Sequence, residues 1–266
     1  MTGVNLNGAL PADLRGKRVL VTGASRGVGL GIARGFASAG AELTILATGE
    51  SVRRAAEALS EDCGREVGAL ICDITDRAAV AREVGGLGAL DVLVNNAGLE
   101  RITPILEPGE EVEATFRRII EINVIGTYSV TREVVKTMPV GGRIIITASV
   151  WGRTSAGPFS AYGSSKHANI GFMRCLAEEL GPRGIAVNAV CPGWVKTDAS
   201  MLSLAKIAAR EGRGEAECLE EIVSAQAFPG LMEPDDVAGA YLFLASDLAA
   251  NITGQTFNVD RGELMA

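Results

Sequence analysis

Tyr162 and Lys166 stand four residues apart in the stretch SAYGSSKHA, Ser160 to Ala168, of a chain with only three tyrosines. If the stretch is helical, positions i and i+4 share a face, and the phenol and the ammonium are neighbours. A free tyrosine titrates near pH 10. An ammonium at about 4–5 Å, in an effective dielectric of about 20, favours the phenolate by roughly 3–4 kcal/mol. Desolvation opposes part of that effect. The balance is expected to bring the phenol toward the range useful for general acid–base work near neutrality. Ser149 lies thirteen residues earlier, at the end of the run RIIITAS. Its hydroxyl could donate to a carbonyl oxygen and hold it against the phenol. Alone, a Tyr/Lys pair is an ordinary surface feature, so its weight depends on what positions it.

The elements that must do so alternate. RVLVTG (18–23), AELTILA (41–47), REVGALICD (65–73), LDVLVNNAG (90–98), GGRIIITAS (141–149), IAVNAVCPG (185–193) and GQTFNVD (254–260) read as strands. Between them, residues 29–40, 51–64, 76–84, 110–138, 160–184 and 234–246 read as helices, with Gly40 as a C-terminal stop and Pro234 just inside a start. Strict alternation predicts an α/β fold: one Rossmann-type, doubly wound parallel sheet of about seven strands with helices on both faces. Residues 1–16 read as an N-terminal arm. Residues 196–230 break the rhythm and read as a lid insertion over a site, or as a packed surface hairpin. In such a sheet the strand C-termini line the ligand crevice, which is where Ser149 and the Tyr162 helix would meet.

VTGASRGVG follows the first strand and opens the first helix. Gly23, Gly27 and Gly29 are spaced so that the backbone can approach a pyrophosphate at a helix N-terminus. The second strand ends LATGES, with Ala47 and Thr48 where an acid would bond a free ribose 2′-hydroxyl. That missing acid, with Arg26 nearby, favours NADP(H) over NAD(H), which stays possible through Glu50.

The 266 residues are 47% hydrophobic but only 5% aromatic, so Ala, Val, Ile and Leu must build the core. The net charge is −7 with no basic block, which argues against a nucleic-acid partner. One histidine, His167, is too few for a Ser-His-Asp hydrolase or a multi-histidine metal site, and no metal is expected. No apolar run reaches membrane-spanning length. Five cysteines without a CxxC pair read as free thiols in a reducing cytoplasm.

In order and spacing, TGASRGVG (22–29), Asp73, NNAG (95–98), Asn123 in EINVIG, Ser149, YGSSK (162–166) and PGWVKT (192–197) resemble the short-chain dehydrogenase/reductase family nearly end to end. The feel is closest to 3-oxoacyl-[acyl-carrier-protein] reductases. The resemblance implies an NAD(P)-dependent oxidoreductase acting on a ketone or secondary alcohol. Tyr162 would be the acid/base, with Lys166 on the nicotinamide ribose, Ser149 on the carbonyl, and Asn123 placing a relay water. Around the cofactor it implies Gly23, Ser25, Arg26, Gly27, Val28 and Gly29 at the turn, and Ala47, Thr48, Asp73 and Ile74 at the adenosine. Asn95, Ala97 and Gly98 would line the same side; Pro192, Gly193, Val195 and Thr197 would hold the carboxamide. Asp73 could instead cap the following helix. Arg101, Val150, Trp151, Arg153, Phe159 and Trp194 are candidates for the substrate wall. A homotetramer or dimer is implied. An NAD-dependent sugar or cyclic-alcohol dehydrogenase is the alternative, and a non-catalytic dinucleotide sensor is the reading from another class. Arg261 in VDRG stands where a glycine is common.

Overall fold

Among the described residues, seven strands each run parallel to their neighbours, in the order β3-β2-β1-β4-β5-β6-β7. They are β1 (Arg18–Thr22), β2 (Glu42–Ala47), β3 (Gly68–Ile71), β4 (Val92–Asn95), β5 (Arg143–Thr147), β6 (Ala186–Pro192) and β7 (Thr256–Val259). The computed structural model describes residues 13–107 and 109–265, so most of the expected N-terminal arm lies outside the described residues. Burial tracks position in the sheet. The inner strands β5 and β6 are buried throughout, whereas the edge strands β3 and β7 are half-buried along their length. Side chains alternate between two faces. Val19, Val21, Ile45, Val92, Val94 and Ile145 face α1 (Gly27–Ser38), α2 (Ser51–Cys63) and α9 (Ala238–Ala245). Leu20, Leu93, Ile144, Ile146 and Val187 face α3 (Arg77–Glu83), α5 (Thr127–Val134) and α6 (Ser160–Leu180). Each such aliphatic side chain stabilises the fold by roughly 1.5–3 kcal/mol on burial.

The order reverses between β1 and β4, which puts the switch point, and the crevice it opens, at Gly23 and the segment after Asn95. The stretch expected as one helix over 110–138 is interrupted. α4 (Glu110–Ile120) and α5 flank a π-helical segment, Glu121–Gly126, which carries Asn123. Asp73 does not cap α3; Asp76 does, accepting from the backbone N–H groups of Ala78 and Ala79.

Residues 198–224 form a helical hairpin, α7 (Asp198–Glu211) and α8 (Glu215–Ser224), with its own small core of Trp194, Leu204, Ala208 and Cys218. Thr197 caps α7 by accepting from the Ser200 N–H. The stem of the hairpin is tied back by Arg261, whose guanidinium donates to the Pro229 carbonyl at 2.8 Å. Arg261 adopts a left-handed backbone, φ 53°, which costs a side chain roughly 1–2 kcal/mol that glycine would not incur. The described cysteines are all free, and no helix among the described residues is long and apolar enough to cross a membrane.

Candidate active site

A cleft of about 590 Å³ opens over the C-terminal ends of β1, β4, β5 and β6. At one end lies the glycine turn. Gly23 has φ +66°, and a Cβ there would stand 2.6 Å from the Ala97 Cα. A Cβ on Gly29 would strike the Gly23 carbonyl and the Asn96 amide. α1 starts at Arg26 without any side-chain cap, unlike α3 and α7, so its first N–H groups have no side-chain acceptor. A cradle without Cβ atoms, ending in uncapped N–H donors, fits a dinucleotide pyrophosphate.

The turn is stitched to the strand beside it. The Thr22 hydroxyl accepts from the backbone N–H groups of Asn96 and Ala97, both at 3.0 Å. The Asn96 amide donates to the Thr22 and Gly23 carbonyls. Asn95, expected here, points the other way: its amide donates to the Thr131 hydroxyl on α5. Alternation along β4 explains this, because Asn95 follows Leu93 onto the α5 face.

Asp73 lines the same end of the cleft. One of its carboxylate oxygens accepts from the Thr75 N–H and hydroxyl, the other from Arg118 at 3.1 Å. Those donors, Thr75 first, outweigh desolvation and hold the Asp73 carboxyl below its ordinary range. Ala47, Thr48 and Ile74 line this end too. Arg26 and Thr48 are exposed at its mouth, while Glu50 is paired with Arg53 on α2.

The other end holds the reactive groups. Ser149 closes the end of β5 and accepts from the Trp151 N–H at 3.2 Å. Its hydroxyl lies near enough to the Tyr162 phenol to act on it. Lys166 is 3% exposed, donates to the Thr147 carbonyl at 2.7 Å, and holds Nζ 5.3 Å from the Tyr162 ring centroid. Asn123 is fully buried behind this group and does not line the cleft. Its side chain bonds both the N–H and the carbonyl of Leu99 and donates to the Ser165 hydroxyl. It thereby joins the loop after β4 to α6.

The electrostatics depart from the sequence expectation. Burial pushes the Tyr162 phenol well above its ordinary range, and the charge of Glu100 adds to the rise; the nearby Ser149 hydroxyl only partly offsets them. The ammonium, 5.3 Å from the ring centroid, does not reverse that rise, because burial acts on both groups. Burial lowers Lys166 from its ordinary 10.5 to about 8. Near neutrality the phenol is therefore protonated and the lysine largely charged.

Trp151, Trp194, Val150 and Arg101 line the cleft as expected of a substrate wall. Arg153 and Phe159 do not. Arg153 donates to the Asn258 side chain on β7, and Phe159 is 2% exposed beneath Trp151, with ring centroids 4.6 Å apart. Pro192, Gly193, Val195 and Thr197 line the cleft along the end of β6. Four acidic or basic groups lining the cleft had no individual expected role: Glu100, Arg118, Asp198 and Glu263. The charge of the loop after NNAG was the one available signal for Glu100. Arg118 reaches Asp73 across 45 residues of sequence, which no local pattern reports.

A family model described as enoyl-(acyl carrier protein) reductase matches residues 23–263. The chain belongs to the short-chain dehydrogenase/reductase family. Among curated members, the oxidoreductase UcpA of Salmonella typhimurium is 37% identical over 261 residues, 95% of this chain and 96% of that one. L-sorbose reductase from Gluconobacter frateurii, solved with NADPH and L-sorbose, superposes with a TM-score of 0.86 at 28% identity, covering 96% of this chain and 99% of that one. A 3-oxoacyl-[acyl-carrier protein] reductase from Brucella melitensis, solved with NAD, gives 0.85 at 30% identity, covering 100% and 98%. The same sheet thus serves short-chain dehydrogenases that hold different nicotinamide dinucleotides and different substrates.

Proposed function

We propose that this short-chain dehydrogenase interconverts a ketone and a secondary alcohol with NADP(H), using Tyr162 as the acid/base. The observation that carries the reading is the meeting of the Ser149 hydroxyl, the Tyr162 phenol and the Lys166 ammonium in the cleft that also holds the glycine turn. When bound, the nicotinamide supplies or accepts the hydride, and the protein supplies orientation and electrostatics. Gly23, Ser25, Gly27, Val28 and Gly29 would hold the pyrophosphate, and Asp73 and Ile74 the adenine. Ala97 and Gly98 would flank the ribose; Pro192, Gly193, Val195 and Thr197 would hold the carboxamide.

The Ser149 hydroxyl orients the substrate oxygen, and the Tyr162 phenol donates its proton to that oxygen in the reductive direction. A phenol kept protonated by burial is ready for that step. Lys166 holds its charge beside the ring, while Asn123 fixes Leu99 and the start of α6 so that the groups stay in register. Arg26 and Thr48, with Glu50 turned to Arg53, support the 2′-phosphate and hence NADP(H). The α7–α8 hairpin would act as the substrate lid, since Asp198, Ala199, Ser200 and Leu202 line the cleft. A cytoplasmic homotetramer is part of the same reading.

Loss of NADPH absorbance at 340 nm with a panel of ketones tests it. Tyr162→Phe should lower turnover by roughly 10²–10⁴-fold and leave NADPH binding intact. Normal turnover by that variant would end the reading.

A further inference from the structure

Glu100 stands in the cleft beside the reacting phenol, and nothing in the reaction above uses it. One carboxylate oxygen accepts from the Ser203 hydroxyl at 2.6 Å. Ser203 is 3% exposed on α7, so the bond joins the loop after β4 to the hairpin over the site. Among the described residues, no protein donor reaches the second oxygen. The carboxylate is close enough for its charge to act on the Tyr162 phenol. Burial raises Glu100 above the ordinary carboxylate range, against the Ser203 donor and the cations of Arg101 and Lys206. The Arg101 guanidinium is turned back onto the Glu100 carbonyl, at 2.7 Å. The neighbouring wall is aromatic: Trp151 stands edge to face with both Tyr162 and Trp194, each at 6.1 Å between centroids.

We propose that Glu100, held by Ser203, is the specificity residue of this site. Its second carboxylate oxygen accepts a hydrogen bond from a substrate hydroxyl, and the substrate is a neutral hydroxylated ketone of the sugar class. This rests on the oxidoreductase reading above and narrows it. An ionised carboxylate only accepts hydrogen bonds, and those it accepts from hydroxyls are charge-assisted and strong. A ligand without the hydroxyl would cover that acceptor and leave it unpaired, which is how a site built for an OH rejects its deoxy analogue. A substrate carboxylate, as in a 3-keto acid, would instead meet like charge. Trp151 and Trp194 give the cleft an apolar lining for the carbon chain, while the carboxylate takes its polar edge.

The test compares kcat/KM for ketohexoses, unhydroxylated ketones of equal chain length, and acetoacetate, in the wild type, Glu100→Gln, Glu100→Ala and Ser203→Ala. The wild type should prefer the hydroxylated ketone by at least ~10²-fold, and Glu100→Ala should compress that preference to under ~10-fold, mainly by losing the hydroxylated substrate. Glu100→Gln keeps a neutral acceptor and should fall between the two. Ser203→Ala should raise KM and keep most of the preference, which separates a loosened hairpin from a lost acceptor. NADPH binding, read by fluorescence, should be unchanged in all three variants and serves as the check on folding. An unchanged preference in Glu100→Ala, or a wild type that favours acetoacetate or the unhydroxylated ketones, overturns the assignment alone. A wild type that binds NADPH and turns over no carbonyl compound overturns the oxidoreductase reading, and the assignment with it.

Discussion

Replacing Lys166 by methionine should make the protein more stable at neutral pH and much less so in alkali. The side chain is 3% exposed, and burial lowers its ammonium from 10.5 to about 8. The folded state therefore penalises the charged form by about 3 kcal/mol relative to the unfolded chain. Between those two values the unfolded chain keeps the proton and the folded chain has released it. Stability from this group accordingly rises with pH across that window and is lowest below pH 8. Between pH 7 and pH 9.5 the wild type should recover about 2 kcal/mol that the methionine variant, having no such proton, does not. The quantity to follow is the unfolding free energy of the variant minus that of the wild type, from urea titrations at both pH values. Other titrating groups cancel in that difference. It should be about 2 kcal/mol more favourable to the variant at pH 7, or roughly 4–8 °C in Tm. Loss of the donor to the Thr147 carbonyl lowers the variant equally at both pH values and leaves the difference intact. A difference that stays constant within about 0.5 kcal/mol between the two pH values would refute the claim that this ammonium is desolvated.

Three further outcomes are expected. Arg26→Ala should weaken NADPH binding by roughly 10-fold or more while changing NADH binding little, because only the former carries a 2′-phosphate for the guanidinium to meet; isothermal titration with both coenzymes checks it. Gly29→Ala should abolish binding of either dinucleotide and cost about 1–3 kcal/mol of stability, since its methyl group would meet the Gly23 carbonyl with no room to retreat. Arg118→Ala should release Asp73 and raise that carboxyl toward its ordinary range. NMR titration of the Asp73 side chain would show the upward movement, and a carboxyl that stays low would mean that Thr75 alone holds it.

Most of the frame was legible because a buried parallel strand and an amphipathic helix leave different periods in the sequence. The seven strands, the glycine turn and the Ser149–Tyr162–Lys166 placement followed from that contrast and from the rule that strand ends line the crevice. What escaped depended on rotation or on distance. Asn95 and Asn96 differ by one pleat, and only the second turns toward the glycine turn. Arg153 and Phe159 lie in the right segment but face β7 and the underside of Trp151. Arg118 meets Asp73, and Ser203 meets Glu100, across more than forty residues in each case. The electrostatics of the Tyr162–Lys166 pair lay out of reach for a further reason. Spacing gives the proximity of two side chains but not their desolvation, and burial outweighs the attraction here.

The π-helical segment Glu121–Gly126 has a bearing on how this chain tolerates changes of length. A π turn accommodates one residue more than the α-helix on either side, so it rephases everything downstream by about 100°. That rephasing lets α4 leave Phe116 partly open to solvent while α5 turns Val130 and Val134 into the sheet. Excising a single residue between 121 and 126 would let one unbroken α-helix form. It would also swing Asn123 off Leu99 and Ser165 and rotate the valines of α5 away from the sheet. The chain should accept most substitutions along the outer surface of that helix more readily than one deletion inside it.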